Sequence, residues 1–166
     1  GPSTIYGYDA VNRLVSETVT DGSALQLTQI QYDVRDRVTK IIDPLGRISQ
    51  FAYDIHSGSN VQVFAQPISS TDPLGHVTRF SYDNRDRLVT RTDAKGALTR
   101  YGYDLHGDLI SITDPDNNHS TFLFDVNHRL IEQDRRSGQG HVAKVDRVLY
   151  QYNAVDDLVH KTEISP

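Results

Sequence analysis

The chain has 166 residues, a net charge of −5 and no Cys, Met or Trp. Acids and bases are interspersed, which leaves no basic footprint for nucleic acid or an anionic membrane, and no apolar run reaches the roughly 18 residues of a membrane-spanning helix. Without thiols there are no disulfides and no zinc–thiolate site.

Gly1-Pro2-Ser3 reads as the remnant of a tag cleavage and is set aside, leaving 4–166 as the region to interpret. The first element is marked by an aromatic residue followed at once by Asp, Tyr8-Asp9. The pair recurs as Tyr32-Asp33, Tyr53-Asp54, Tyr82-Asp83, Tyr103-Asp104, Phe124-Asp125 and Tyr152-Asn153. The intervals are 24, 21, 29, 21, 21 and 28 residues, so the unit is 21 with excesses of 3, 8 and 7. A fixed period of this size marks a tandem array. About seven units are expected across 4–166, with insertions near 23–27, 56–70 and 139–147.

Each unit opens on a predicted strand. Two residues before the pair stand Tyr6, Ile30, Phe51, Phe80, Tyr101, Phe122 and Tyr150, with small or polar residues such as Gly7, Ala52, Ser81 and Gly102 between. Of the 14 aromatic residues, 13 occupy these two places, all but Phe64. Period-two alternation of this kind predicts half-buried strands and excludes helices. A turn then follows the pair, because an Asp at its head can accept backbone N–H groups two or three residues on. Aliphatic residues six and seven after the aromatic (Leu14-Val15, Leu88-Val89, Leu109-Ile110, Leu130-Ile131, Leu158-Val159) predict a second strand of more mixed facing.

A second turn closes the unit. Asp43-Pro44-Leu45-Gly46 recurs as Asp72-Pro73-Leu74-Gly75, Asp93-Ala94-Lys95-Gly96 and Asp114-Pro115-Asp116-Asn117. Gly46, Gly75 and Gly96 sit where a type I turn needs a left-handed residue to close a hairpin. The predicted fold class is therefore all-β, a tandem array of hairpins in a curled antiparallel meander sheet. A closed barrel is the competing form for a monomer.

The run Tyr-Asp-x-x-x-Arg-Leu, then Asp-Pro-Leu-Gly, then Thr-x-Phe-x-Tyr-Asp resembles the YD repeats of the RHS family, which includes RHS polymorphic toxins, the Tc toxin C component and teneurins. Residues 77–93, VTRFSYDNRDRLVTRTD, carry the resemblance most fully. Asp108 and Asp157 depart from it, standing where Arg13, Arg37, Arg87 and Arg129 occupy the matching place. The resemblance implies a non-enzymatic segment of a β shell that encloses or delivers a toxin domain. It also implies a secreted or cell-surface parent in bacteria, with the remainder of that chain and its enclosed toxin as partners. Shells of this family usually end in a core segment with an aspartyl autoprotease, and none is expected here, since residues 163–166 still read as repeat. The alternative is a cell-surface repeat module that binds carbohydrate through its aromatics.

Catalytic, cofactor and metal residues are expected to be none. The histidines His56, His76, His106, His119, His128, His141 and His160 form no His-x-x-x-His pair and fall mostly in turns. Asp116-Asn117-Asn118 lacks the ligand spacing of a calcium loop. No P-loop, Gly-x-Ser-x-Gly or dinucleotide fingerprint is present. Terminal strands would leave unpaired edges, so self-association through sheet edges or faces is expected of an isolated array.

Overall fold

The structure is a computed structural model that describes residues 1–20, 22, 24–53, 66–137 and 144–164. The chain divides into two compact units, Gly1–Phe80 with Asn84–Asp86, and Ser81–Asp83 with Arg87–Pro166. All regular structure among the described residues is β-strand, in agreement with the predicted class.

The first unit contains β1 (Ser3–Tyr8), β2 (Leu14–Thr20), β3 (Leu25–Tyr32), β4 (Val38–Ile42), β5 (Ile48–Ala52) and β6 (Ser69–Thr71), and most of β7 (Val77–Tyr82). The second contains the end of β7, then β8 (Leu88–Thr92), β9 (Leu98–Tyr103), β10 (Leu109–Thr113), β11 (His119–Phe124), β12 (Leu130–Ser137), β13 (Lys144–Tyr152) and β14 (Leu158–Ile164). Within each unit every strand pairs antiparallel with the next in sequence, making a simple meander.

Both kinds of turn adopt one geometry, where the sequence suggested two. In the pair turns the N–H of Asp9, Asp33, Asp83, Asp104, Asp125 and Asn153 donates to the carbonyl four residues on, at 2.9 to 3.0 Å. In the second turns Asp43, Asp72, Asp93 and Asp114 do the same at 3.0 Å. The fourth residue of each loop is left-handed: Asn12, Asp36, Asp86, Gly107, His128 and Asp156 in one set, Gly46, Gly75, Gly96 and Asn117 in the other. Gly, Asn, Asp and His are the residues most often found with such a backbone, and His128 takes the place once.

The pair turns add a feature that the second turns lack. Tyr8 pairs with Leu14 but Gly7 pairs with Ser16, so Val15 bulges out of the ladder. Thr39, Ile110, Ile131 and Val159 are extra in the same way. A bulge puts two consecutive residues opposite one, which bends the strand and lets neighbours share a face. This accounts for the mixed facing of the second strands and for their paired aliphatics.

The aromatic places alternate as expected in β3, β5, β7 and β11, whereas in β1 both Tyr6 and Tyr8 are exposed. Along β11, Ser120, Phe122 and Phe124 are half-buried while His119, Thr121 and Leu123 are exposed. No side chain among the described residues is fully buried, hydrophobic or polar. Each unit therefore presents a layer whose better-covered face carries the rings, and no enclosed core exists among these residues. Residues 25–27 lie in β3 and 144–147 in β13.

Candidate functional site

A pair-turn Asp with an arginine four residues on binds main chain and side chain at once. Asp9 Oδ1 accepts the N–H groups of Val11 and Arg13 at 3.0 and 2.9 Å, and its Oδ2 accepts Arg13 Nε at 2.7 Å. Asp33 with Arg37 and Asp125 with Arg129 repeat this pattern, and in the Asp83 turn Arg87 supplies both its N–H and its Nε. Arg37 beside Asp33, opposed by partial desolvation and helped by the N–H groups of Arg37 and Arg35, holds that carboxyl down at about 2. The first Asp of the second turns is used likewise, with Arg47, His76 or Asn118 reaching its Oδ2. The oxygen-rich stretch Asp116-Asn117-Asn118 is thereby a turn: Asn118 Nδ2 donates to Asp114 Oδ2 at 2.7 Å.

The paired tyrosines reach across to the preceding hairpin. Their hydroxyls donate to main-chain carbonyls: Tyr32 to Leu14 at 2.7 Å, Tyr53 to Val38 at 2.8 Å, Tyr103 to Leu88 at 3.0 Å and Tyr152 to Leu130 at 2.9 Å. Over each of these rings lies an arginine from the preceding pair turn. Arg13 is 5.0 Å from the Tyr32 ring centre, Arg37 4.3 Å from Tyr53, Arg87 4.7 Å from Tyr103 and Arg129 4.9 Å from Tyr152. The same guanidinium reaches on to the next turn, Arg13 Nη1 to the Asp33 carbonyl at 3.3 Å and Arg87 Nη1 to that of Asp104 at 3.0 Å. Arg13 also pairs with Asp36, and Arg129 with Asp156, at 2.6 and 2.7 Å. Cation, ring and carbonyl thus form a clasp between successive repeats.

Among the described residues two places depart from the arginine rule, Asp108 and Asp157, and they are accommodated differently. At Asp157 the polarity of the turn is reversed, and Asn153 Nδ2 donates to Asp157 Oδ2 at 3.1 Å. At Asp108 the partner comes from the next turn: His128 Nδ1 lies 2.6 Å from Asp108 Oδ2. His106 approaches Asp104 Oδ2 at 3.6 Å, and the His106 and His128 rings meet edge to face at 5.5 Å. Together with Asp125 and the Phe124 ring these residues border a pocket of about 460 Å³. The Asp104 carboxyl sits below its usual range: partial burial opposes this, and the N–H groups of Asp108, Gly107 and His106 outweigh it.

Of the sequence-derived motif residues, Tyr32, Asp33, Tyr103, Asp104, Asp125, Tyr152 and Asn153 all fall in these turns and clasps, while Phe124 ends β11 and borders the pocket. Asp83 heads its turn, and Tyr82 ends β7. Tyr8 ends β1 and is more than half exposed. Gly46, Gly75 and Gly96 have φ of +76°, +84° and +83°. Asp54, His56, Phe64 and His141 lie outside the described residues. Sequence reasoning did not find the tyrosine hydroxyl bonds, the arginine clasp or the pocket at Asp108. The coincidence of a missing Arg at 108 with a missing tyrosine hydroxyl at 124 was the available signal.

Among the described residues no helix is long and apolar enough to cross a membrane, and no group of three or more His, Cys, Asp or Glu side chains is placed to hold a metal ion.

The family model described as RHS Repeat matches residues 66–98, 87–119 and 103–142. No curated protein sequence matches the chain. Among solved structures it is similar to TcdB2-TccC3, with TM-score 0.59 and 17% identity over 98% of this chain and 12% of that one. It is likewise similar to TcdB2-TccC3-Cdc42, with TM-score 0.58 and 17% identity over 98% of this chain and 11% of that one. The Photorhabdus luminescens Tc holotoxin pore, with a substituted TccC3, gives TM-score 0.58 and 17% identity over 98% and 11% of the two chains. The chain thus spans 11–12% of the length of the chains it matches, and at this identity the likeness is one of fold.

Proposed function

We propose that this chain, which belongs to the RHS-repeat family, is a structural stretch of shell wall whose parent encloses or delivers a toxin domain. The observation that carries the reading is the clasp. At four places among the described residues, aspartates, arginines and paired tyrosines that could serve chemistry are spent on holding one hairpin to the next, at 4.3 to 5.0 Å between guanidinium and ring. A strip built this way gains from every added repeat, because each repeat's interface lies with its neighbours. The pair residues Tyr8, Asp9, Tyr32, Asp33, Tyr53, Asp54, Tyr82, Asp83, Tyr103, Asp104, Phe124, Asp125, Tyr152 and Asn153, with the turn glycines Gly46, Gly75 and Gly96, are the repeat's structural motif in this reading. It assigns no catalytic residue.

Further support comes from the lack of any buried side chain among the described residues. A layer of this kind needs cover, which the remainder of a longer secreted chain would supply in the parent. An isolated copy would instead associate with a second copy through an edge or a face. The carbohydrate-binding alternative is less favoured, since a guanidinium already occupies one face of Tyr32, Tyr53, Tyr103 and Tyr152, where a sugar ring would stack.

The test is limited proteolysis of the full-length parent, with the toxin activity of its C-terminal region assayed before and after the shell is opened by denaturant. The reading expects the cargo to resist protease until the wall unfolds. A cargo cleaved at the same rate in the native parent, or binding of the chain on a glycan array that is lost on Tyr→Ala substitution, would overturn it.

A further inference from the structure

Four times a guanidinium fills the space between successive pair turns, over the next paired ring and against the first Asp of its own turn. Arg13, Arg37, Arg87 and Arg129 do this, with Nε on Asp9, Asp33, Asp83 and Asp125 at 2.7 to 2.8 Å. Between the Asp104 and Asp125 turns the same place has lost its guanidinium, and the imidazole of His128 stands against Asp108 instead. Asp108 replaces the arginine, so charge is reversed, and Phe124 replaces the tyrosine while keeping an aromatic ring. What stands there is the pocket of about 460 Å³, a size at which small ligands and side chains are bound.

We infer that this pocket binds a guanidinium cation from outside the chain, an arginine side chain presented by another polypeptide segment, seated over Phe124 with its N–H groups on Asp104 and Asp108. The internal precedent is direct, because four sister turns hold a guanidinium between an aspartate and a ring. Asp125 stays committed to its own Arg129 at 2.7 Å, whereas Asp108 Oδ2 and Asp104 Oδ2 face only the imidazoles of His128 and His106, at 2.6 and 3.6 Å, which the incoming cation would displace. Arginine suits the place better than lysine, since its planar fork matches carboxylate oxygens and stacks on an aromatic face.

The two histidines act as placeholders. His128 and His106 are 54% and 73% exposed at their side chains, so either can swing aside as the cation enters. A protonated His128 competes with the guanidinium for Asp108, and a neutral one competes less. The groups facing His128 are Asp108, Asp104 and Asp125, with the His106 ring at its edge. The hydrogen bond to Asp108 first, then the charge of Asp108, Asp104 and Asp125, raises the pH at which His128 gives up its proton, against partial desolvation. Binding therefore strengthens as pH rises through that range.

The experiment uses the 166-residue chain, isotope-labelled, titrated with N-acetyl-arginine amide and with a Gly-Arg-Gly tripeptide, against the matching lysine compounds. The Phe124 ring and His128 resonances are expected to shift with both arginine probes, with lysine weaker by about tenfold or more. Tripeptide binding at least as tight as that of the capped residue is expected of a site that takes an arginine within a polypeptide, and clearly weaker tripeptide binding would count against it. Asp108→Arg, which restores the arginine of the sister turns, is expected to abolish binding and raise the thermal midpoint. Should that variant fail to fold, Asp108→Asn and Asp104→Asn are each expected to weaken binding with the strand signals unchanged. The inference is overturned if neither arginine probe shifts these resonances, if lysine binds as well, or if the Asn variants bind like the parent.

Discussion

The guanidinium of Arg87 lies 4.7 Å from the centre of the Tyr103 ring, and that ring's hydroxyl donates to the carbonyl of Leu88, the residue next to Arg87, at 3.0 Å. One tyrosine thereby holds two consecutive residues of the preceding repeat, one by its face and one by its edge. Replacing Tyr103 with Phe removes the hydroxyl bond and keeps the ring, at an expected cost of about 1 kcal/mol. Phe124→Tyr, which offers the missing hydroxyl to the preceding hairpin, is expected to stabilise by a similar amount or less. Urea unfolding midpoints of the two variants should therefore move in opposite directions.

The turn aspartates predict an acid limit. The folded Asp33 carboxyl titrates at about 2 against its usual 3.8, and those of Asp9, Asp43, Asp72, Asp93, Asp114 and Asp125 are also lowered. A group whose folded value is depressed contributes stability that is present above its unfolded value and lost as pH falls through the folded one. The thermal midpoint followed by circular dichroism should hold down to about pH 4 and drop steeply toward pH 2. Asp33→Asn should show a lower plateau and a shallower drop.

His128 has the opposite sign. Its hydrogen bond to Asp108, with the further charges of Asp104 and Asp125, raises its titration above the usual 6.5. Stability from this contact is complete below the unfolded value and fades as pH rises through the folded one. A proton-resonance titration should place His128 above an unstructured histidine, and Asp108→Asn should bring it down.

Gly96 has φ of +83° with nothing within 4 Å of where a Cβ would stand, so only backbone strain opposes a side chain. Gly96→Ala is expected to cost about 1 kcal/mol. Gly96→Asn should cost less, because Asn117 occupies the same place in the next repeat at φ +61°. Thermal midpoints of the two variants would rank accordingly.

The hairpin array was legible because its signals are local. Alternation around Phe80-Ser81-Tyr82 sets a face, and Asp-Pro-Leu-Gly sets a turn, each within a few residues. The bulges at Val15, Ile110 and Ile131 were visible only as paired aliphatics, since a bulge is defined by the partner strand. The clasps were hidden for a related reason. Arg87 and Tyr103 meet only once adjacent hairpins are in register, and nothing in either residue's own neighbourhood announces it. Asp108, Phe124 and His128 read as separate irregularities in sequence, yet they border one place in space. The two turns looked unlike because one carries Pro and Gly and the other Arg, although both use the same left-handed fourth residue.

Electron cryo-microscopy of the full-length parent tests the wall assignment most directly. The account predicts that the repeats around Tyr82, Tyr103 and Phe124 line a closed shell, hairpin beside hairpin, with density for a separate domain inside it. An open stalk carrying these repeats on its outer surface, with no enclosed domain, would contradict the account.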